Sequence, residues 1–166
     1  MKKERVLIMC VIVFLFILTG CNIGNKILPH QLYETFQSGD FTANDWVRGG
    51  DNLPVMQSQY VQKGKYAAGF PNLGDRERSF MYIDLDIEED MVISFYVKTN
   101  FQEGGGGLSF CIDDDDAGRW FSVNDWKRVI REIPAGKHRL KWEVSLFSDP
   151  GSNEMMAFLD HIMISK

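Results

Sequence analysis

The chain is poor in the residues that catalysis and metal binding use. It holds three histidines and three cysteines in 166 residues. His30, His138 and His161 are scattered, and no Ser or Cys is placed to complete a triad with them, so nucleophilic catalysis has no support. No His or second Cys stands at metal spacing, which argues against a zinc site. Positive charge is not in excess: 18 Lys and Arg face 23 Asp and Glu, for a net charge of −5. Nucleic-acid binding is driven by phosphate neutralisation, and this balance excludes it. A long hydrophobic run is missing too. Val6 to Leu18 is the apolar stretch, and as a helix it would span roughly 20 Å against a bilayer core of about 30 Å. The Gly104 to Gly107 run has no helix after it and no Lys-Ser/Thr pair, so it is not a phosphate loop.

What is present begins at the N-terminus. Lys2, Lys3 and Arg5 precede the apolar run, and small residues follow it at Leu18-Thr19-Gly20-Cys21. A charged start, a short apolar stretch and a small-residue cleavage site are the layout of an export signal. Leu18 to Cys21 resembles the lipobox of bacterial lipoproteins. The resemblance implies cleavage between Gly20 and Cys21, a diacylglycerol on the Cys21 sulfur with palmitate-type chains, and a membrane partner held through that lipid anchor. It implies a cell-envelope location, and Asn22 in place of an Asp favours the outer membrane or cell surface. The competing reading is an apolar anchor that is never cleaved.

The boundaries that follow are a signal peptide at 1–20, a tether at 21–31 and one domain at 32–166. One acyl chain holds a protein only marginally, whereas two or more on one cysteine make release slow. The removed piece holds three basic residues and one acidic one, so the processed chain carries about −7. Such a domain has no electrostatic reason to lie on anionic lipid, and the acyl chains must do the anchoring. With Cys21 lipidated, Cys111 has no partner for an internal bridge. It reads as a small strand residue, with an intermolecular disulfide or a reactive thiol as the alternatives.

From Leu32 onward the hydrophobic period is two. Met81, Ile83, Leu85 and Ile87 form one alternating set, and Met91, Ile93, Phe95 and Val97 another. Leu108, Phe110 and Ile112 form a third, Leu140, Trp142 and Val144 a fourth, and Phe158 to Ile164 the last. Such alternation marks strands with one wet face. Turn signals separate them at Lys63-Gly64-Lys65, Glu89-Asp90, Gly104 to Gly107, Pro134-Ala135-Gly136 and Asp149-Pro150-Gly151. Many short strands with no convincing amphipathic helix predict an all-β sandwich.

Ordered blocks sharpen this expectation. They are Glu34 to Phe41 followed by Trp46, then Gly64 to Ala68, Ile93 to Lys98 and Leu108 to Asp113. Trp126 with Ile133 to Trp142 comes next, and Ala157 to Ile162 is last. Together they resemble the MAM-like and carbohydrate-binding-module-like jelly rolls of bacterial surface proteins. The resemblance implies a jelly-roll β-sandwich of two antiparallel sheets. It implies a non-catalytic binding or adhesion role, with a glycan or an envelope protein as partner. The stretch after Trp142, Glu143 to Asp149, departs from the pattern.

Candidate residues fall into three groups. In such modules a first-strand acid and a last-strand acid share a structural calcium, and Glu34 and Asp160 hold similar positions, with Asp40 or Asp51 nearby in sequence. The rival reading is that Asp160 accepts backbone hydrogen bonds in a turn or bulge. No cofactor is otherwise required. The run Asp113 to Asp116 reads as a solvated loop, with calcium as its alternative. Among aromatics, Trp46, Trp120, Phe121 and Trp126 are candidates for stacking on a sugar face, Trp120 foremost, while Trp126 and Trp142 match core positions.

Asp84, Asp86 and Glu88 alternate on one strand and resemble the carboxylate strand of concanavalin-like jelly-roll glycanases. A glycan hydrolase is therefore one alternative function, against the plain reading of a wet strand face. A structural component of an envelope assembly is the other.

Overall fold

A computed structural model describes residues 32–101, 105–147 and 157–166. The expected signal peptide and tether, with Gly20 and Cys21, lie outside the described residues. Every regular element described is a strand. These are β1 (Leu32–Glu34), β2 (Val47–Gly50), β3 (Val55–Gln57), β4 (Ala67–Phe70), β5 (Arg78–Ile87), β6 (Met91–Asn100), β7 (Gly106–Ile112), β8 (Asp115–Trp120), β9 (Ser122–Ile133), β10 (Gly136–Leu146) and β11 (Ala157–Ser165).

They form two antiparallel sheets, the sandwich that the alternation predicts and the jelly roll that the resemblance implies. The five-stranded sheet runs β2-β5-β10-β7-β8. The six-stranded sheet runs β3-β4-β11-β6-β9, with β1 also paired to β11. The chain changes sheets between β8 and β9, and Phe121 is the one residue at that corner.

The inner faces follow from the period of two. Met81, Ile83 and Ile87 on β5 are buried, as are Ile93, Phe95 and Val97 on β6 and Leu140, Trp142 and Val144 on β10. Trp142 sits at the centre, its ring 4.7 Å from Phe110, 5.3 Å from Phe95 and 5.9 Å from Trp46. The pairs with Phe95 and Trp46 are edge-to-face, a geometry that adds to the burial energy.

Three local expectations need correction. Gly106 and Gly107, part of an expected turn signal, belong to β7. The run Asp113 to Asp116 is not one loop: Asp113 turns with φ 58° and Asp115 already opens β8. Trp126 is only half-buried, on β9, which is the outermost strand of its sheet among the described residues.

Candidate functional site

The outer face of the five-stranded sheet gathers most of the polar and aromatic chemistry. On β5 the outward set is Arg78, Phe80, Tyr82, Asp84 and Asp86; on β10 it is Lys137, Arg139, Lys141, Glu143 and Ser145. Register lines these up across the sheet. Glu143 stands between Phe80 and Ser109, and Ser109 pairs on to Arg119. Lys141 stands between Tyr82 and Cys111, and Arg139 opposite Asp84.

Three cations on this face, Arg119, Arg139 and Lys141, are matched. Arg139 makes a two-pronged contact with Asp84, at 2.7 and 2.8 Å, while its guanidinium lies 4.0 Å above the Tyr82 ring. Lys141 pairs with Glu143 and sits 4.7 Å over Phe80. Arg119 reaches Asp116 at 2.6 Å. The rings of Phe80 and Tyr82 are thus roofed by cations rather than open to a ligand.

Two depressions remain. The first, of about 150 Å³, is lined by Gly107, Ser109, Arg119, Phe121, Glu143 and Phe147, with Ser145 and Leu108 completing it. Phe121 and Phe147 are the exposed aromatics here, at 47% and 60%. Gly107 makes the floor: a Cβ there would stand 3.0 Å from the Phe121 ring. Phe147 is held by its N–H donating to the Gly105 carbonyl at 3.1 Å.

The second depression, of about 580 Å³, is charged and contains Asp84, Asp86, Asp113, Lys137, His138 and Arg139. The Arg139 guanidinium holds the Asp84 carboxyl below its ordinary value. The backbone N–H of Arg139, with help from His138, does the same for Asp113. Glu88 lies past the end of β5 and does not line this space. Of the three carboxylates that resembled a glycanase strand, Asp84 and Asp86 line this space and Glu88 does not.

The expected stacking residue Trp120 is a core residue. It is 6% exposed, and its ring packs edge-on to Phe95 at 5.9 Å. Gly118 explains the turn inward, since a Cβ at 118 would stand 2.8 Å from the indole. Trp46 is half-buried as well, with its N–H donating to Glu34 at 2.9 Å. Cys111 shares the outer face with Lys141, and burial together with Asp116 pushes its thiol up, which makes it a poor nucleophile.

Among the candidate calcium residues, Glu34 on β1 pairs across to Ile162, two residues from Asp160 on β11, and each acid is engaged by hydrogen-bond donors. Glu34, 1% exposed, accepts from the Phe36 N–H, the Asn44 amide and the Trp46 indole. Asp160, fully buried, accepts from the backbone N–H groups of Gln62, Lys63 and His161. Burial pushes the Asp160 carboxyl up, and those N–H donors oppose the shift. Asp40 is exposed and caps Thr42. Each carboxylate is met by N–H or O–H donors, and among the described residues no three His, Cys, Asp or Glu side chains are grouped to hold a metal. Asp160 instead accepts backbone hydrogen bonds beside a β-bulge between Asp160 and Met163, with His161 at φ 48°.

No protein-family profile matches the chain, and no curated protein matches it. Solved structures do. TmCBM61 in complex with β-1,4-galactotriose is 16% identical, with a TM-score of 0.62 over 82% of this chain and 98% of that one. The xylan-binding CBM22-1 domain of Paenibacillus barcinonensis Xyn10C is 16% identical, with a TM-score of 0.57 over 82% and 94%. The K3 adhesin domain of Lys-gingipain from Porphyromonas gingivalis W83 is 11% identical, with a TM-score of 0.63 over 82% and 98%. At these identities the likeness establishes the fold: the jelly roll of carbohydrate-binding modules and adhesin domains.

Proposed function

We propose that this chain is a lipid-anchored cell-envelope protein whose jelly-roll domain binds a glycan without acting on it. One observation carries the binding. Phe121 and Phe147 stand exposed on either side of a groove whose other residues include Ser109, Arg119, Glu143 and Ser145. A sugar has apolar C–H faces and hydroxyl edges, and this groove offers aromatic surface and hydrogen-bonding groups side by side. The shared fold with a galactotriose-bound module and a xylan-binding domain supports the same reading. Glu88 stands outside the charged depression that holds Asp84 and Asp86, which supports binding over the hydrolase alternative. The anchor rests on Leu18 to Cys21 alone.

A glycan array probed with the purified full chain tests the binding. The wild type should be retained on a discrete set of glycans, and Phe121→Ala and Phe147→Ala should each reduce that retention. If no glycan retains the wild type while a stable protein neighbour is recovered from envelope extracts, the assembly reading replaces this one. Metabolic labelling with a clickable fatty acid tests the anchor. The label should follow the wild type and be lost in Cys21→Ser.

A further inference from the structure

The outer face of the six-stranded sheet faces away from the aromatic groove, and its chemistry is different. Register places Tyr33, Met163, Ser94 and Ile130 in one row across β1, β11, β6 and β9. Tyr33 is 57% exposed and Ile130 51%, while Met163, Tyr96 and Val92 beside them are half-buried. Strands stand about 4.8 Å apart, so the row runs for roughly 14 Å. Charges flank it: Arg128 on β9, whose guanidinium reaches in to the Ser94 hydroxyl at 3.5 Å, Glu132 on the same strand, and Lys98, which is turned toward Tyr60 and the Asn124 carbonyl. The row carries a tyrosine at one end and an isoleucine at the other, with Met163 and the buried Ser94 between them, and tyrosine is a side chain that settles at a membrane interface.

The position of this row in the chain names what covers it. Tyr33 is the second residue of β1, and residues 22–31 are all that separate β1 from Cys21. Ten residues reach at most about 35 Å. A bilayer anchored at Cys21 is therefore present at high effective concentration beside this face, and a weak apolar contact suffices to hold it. The net negative charge of the chain gives no overall attraction to anionic lipid, so the contact is assigned to Tyr33, Met163 and Ile130.

We propose that the outer face of the six-stranded sheet, through Tyr33, Met163 and Ile130, rests on the surface of the bilayer that anchors the chain. The proposal rests on the lipid-anchored reading. Its consequence is orientation: the Phe121–Phe147 groove, on the outer face of the other sheet, points away from the membrane toward free glycan.

The test uses the lipidated full chain in phosphatidylcholine vesicles. In a Cys111→Ser background, a bimane label is placed at Ile130→Cys, with Arg128→Cys as a second position on the same face. Asp86→Cys reports from the opposite face. Brominated lipid should quench the label at 130 and at 128 and leave the label at 86 bright. Equal quenching at 130 and 86, or quenching at 86 alone, overturns the orientation while the anchor stands. A label at 130 shielded equally with and without lipid, in a chain that sediments as a dimer, means that a second copy covers the face, and the proposal fails. If mass spectrometry finds no lipid on Cys21 and the chain does not float with vesicles, the anchor reading and this one fall together.

Discussion

The carboxylate of Glu34 and the indole N–H of Trp46 meet at 2.9 Å. The acid is 1% exposed, and its other contacts go to the Phe36 N–H and the Asn44 amide. One side chain thus ties β1 to the loop that enters β2, and it holds Phe36 at φ 59° against the core. Trp46 in turn packs on Trp142. Removing the acid strands three donors, and a buried donor without a partner costs on the order of 1–3 kcal/mol. Glu34→Ala should lower stability by about 3 kcal/mol in urea unfolding. A change below about 0.5 kcal/mol means that the network is not structural.

The same donors bear on calcium. Glu34 and Asp160 are both met by N–H groups, and they are not gathered with a third acid. Melting the protein with and without a chelator should therefore give one midpoint. A drop on chelation would restore the shared-calcium expectation for Glu34, Asp40 and Asp160.

Trp120 should act on stability rather than on binding. Its indole fills the space that Gly118 leaves and touches Phe95. Trp120→Ala should cost about 3–5 kcal/mol. Gly118→Ala should cost about 1–3 kcal/mol by overpacking the same spot. Both are read as shifts in the denaturation midpoint. A Trp120→Ala protein that melts like the wild type yet loses glycan retention would return Trp120 to the ligand surface.

That misplacement shows where the sequence was legible and where it was not. β5, β6, β7 and β10 each carry at least three apolar residues at alternate positions and are visible as alternation, whereas β11 is legible as an apolar stretch whose period is broken by the bulge between Asp160 and Met163. In β8 the inward positions are 118 and 120, and a glycine at the first hides the period. β9 is an outer strand with exposed residues at most of its positions, so its pattern has no clean period of two. The groove was half legible. Phe121 stood out as an aromatic beyond the core sets. Phe147 did not, because its place beside Phe121 comes from pairing between β7 and β10, which single-strand patterns do not encode. The burial of Glu34 and Asp160 was equally silent, since an acid that accepts backbone hydrogen bonds looks in sequence like one that binds a metal.

The groove makes a quantitative prediction for a glycan ligand. Phe121 and Phe147 are about half exposed, so truncating either leaves the core intact. Loss of one stacking ring should weaken binding by about tenfold, which is near 1.4 kcal/mol. Isothermal titration with an array-selected oligosaccharide reads the affinity, and the melting midpoint should move by less than about 2 °C. Phe80→Ala offers the contrast. That ring is roofed by Lys141, so its loss should change affinity little.

The acid limb of stability should depend on the pairing of Asp84 with Arg139. In the folded chain the Asp84 carboxyl titrates below its ordinary value of 3.8, chiefly because Arg139 donates to it, and Asp113 is lowered by the Arg139 backbone N–H. For an acid held low by folding, the stabilisation is complete above the unfolded value. It is lost as pH falls through the folded one. The melting midpoint of the wild type should therefore decline as pH drops below 3.8. Asp84→Asn should start from a lower midpoint at neutral pH and decline less steeply, because the pair is already gone. The pair is exposed, so the difference should be small and should shrink further in concentrated salt. Identical acid limbs for the two proteins at low salt would mean that Asp84 and Arg139 do not interact across the sheet.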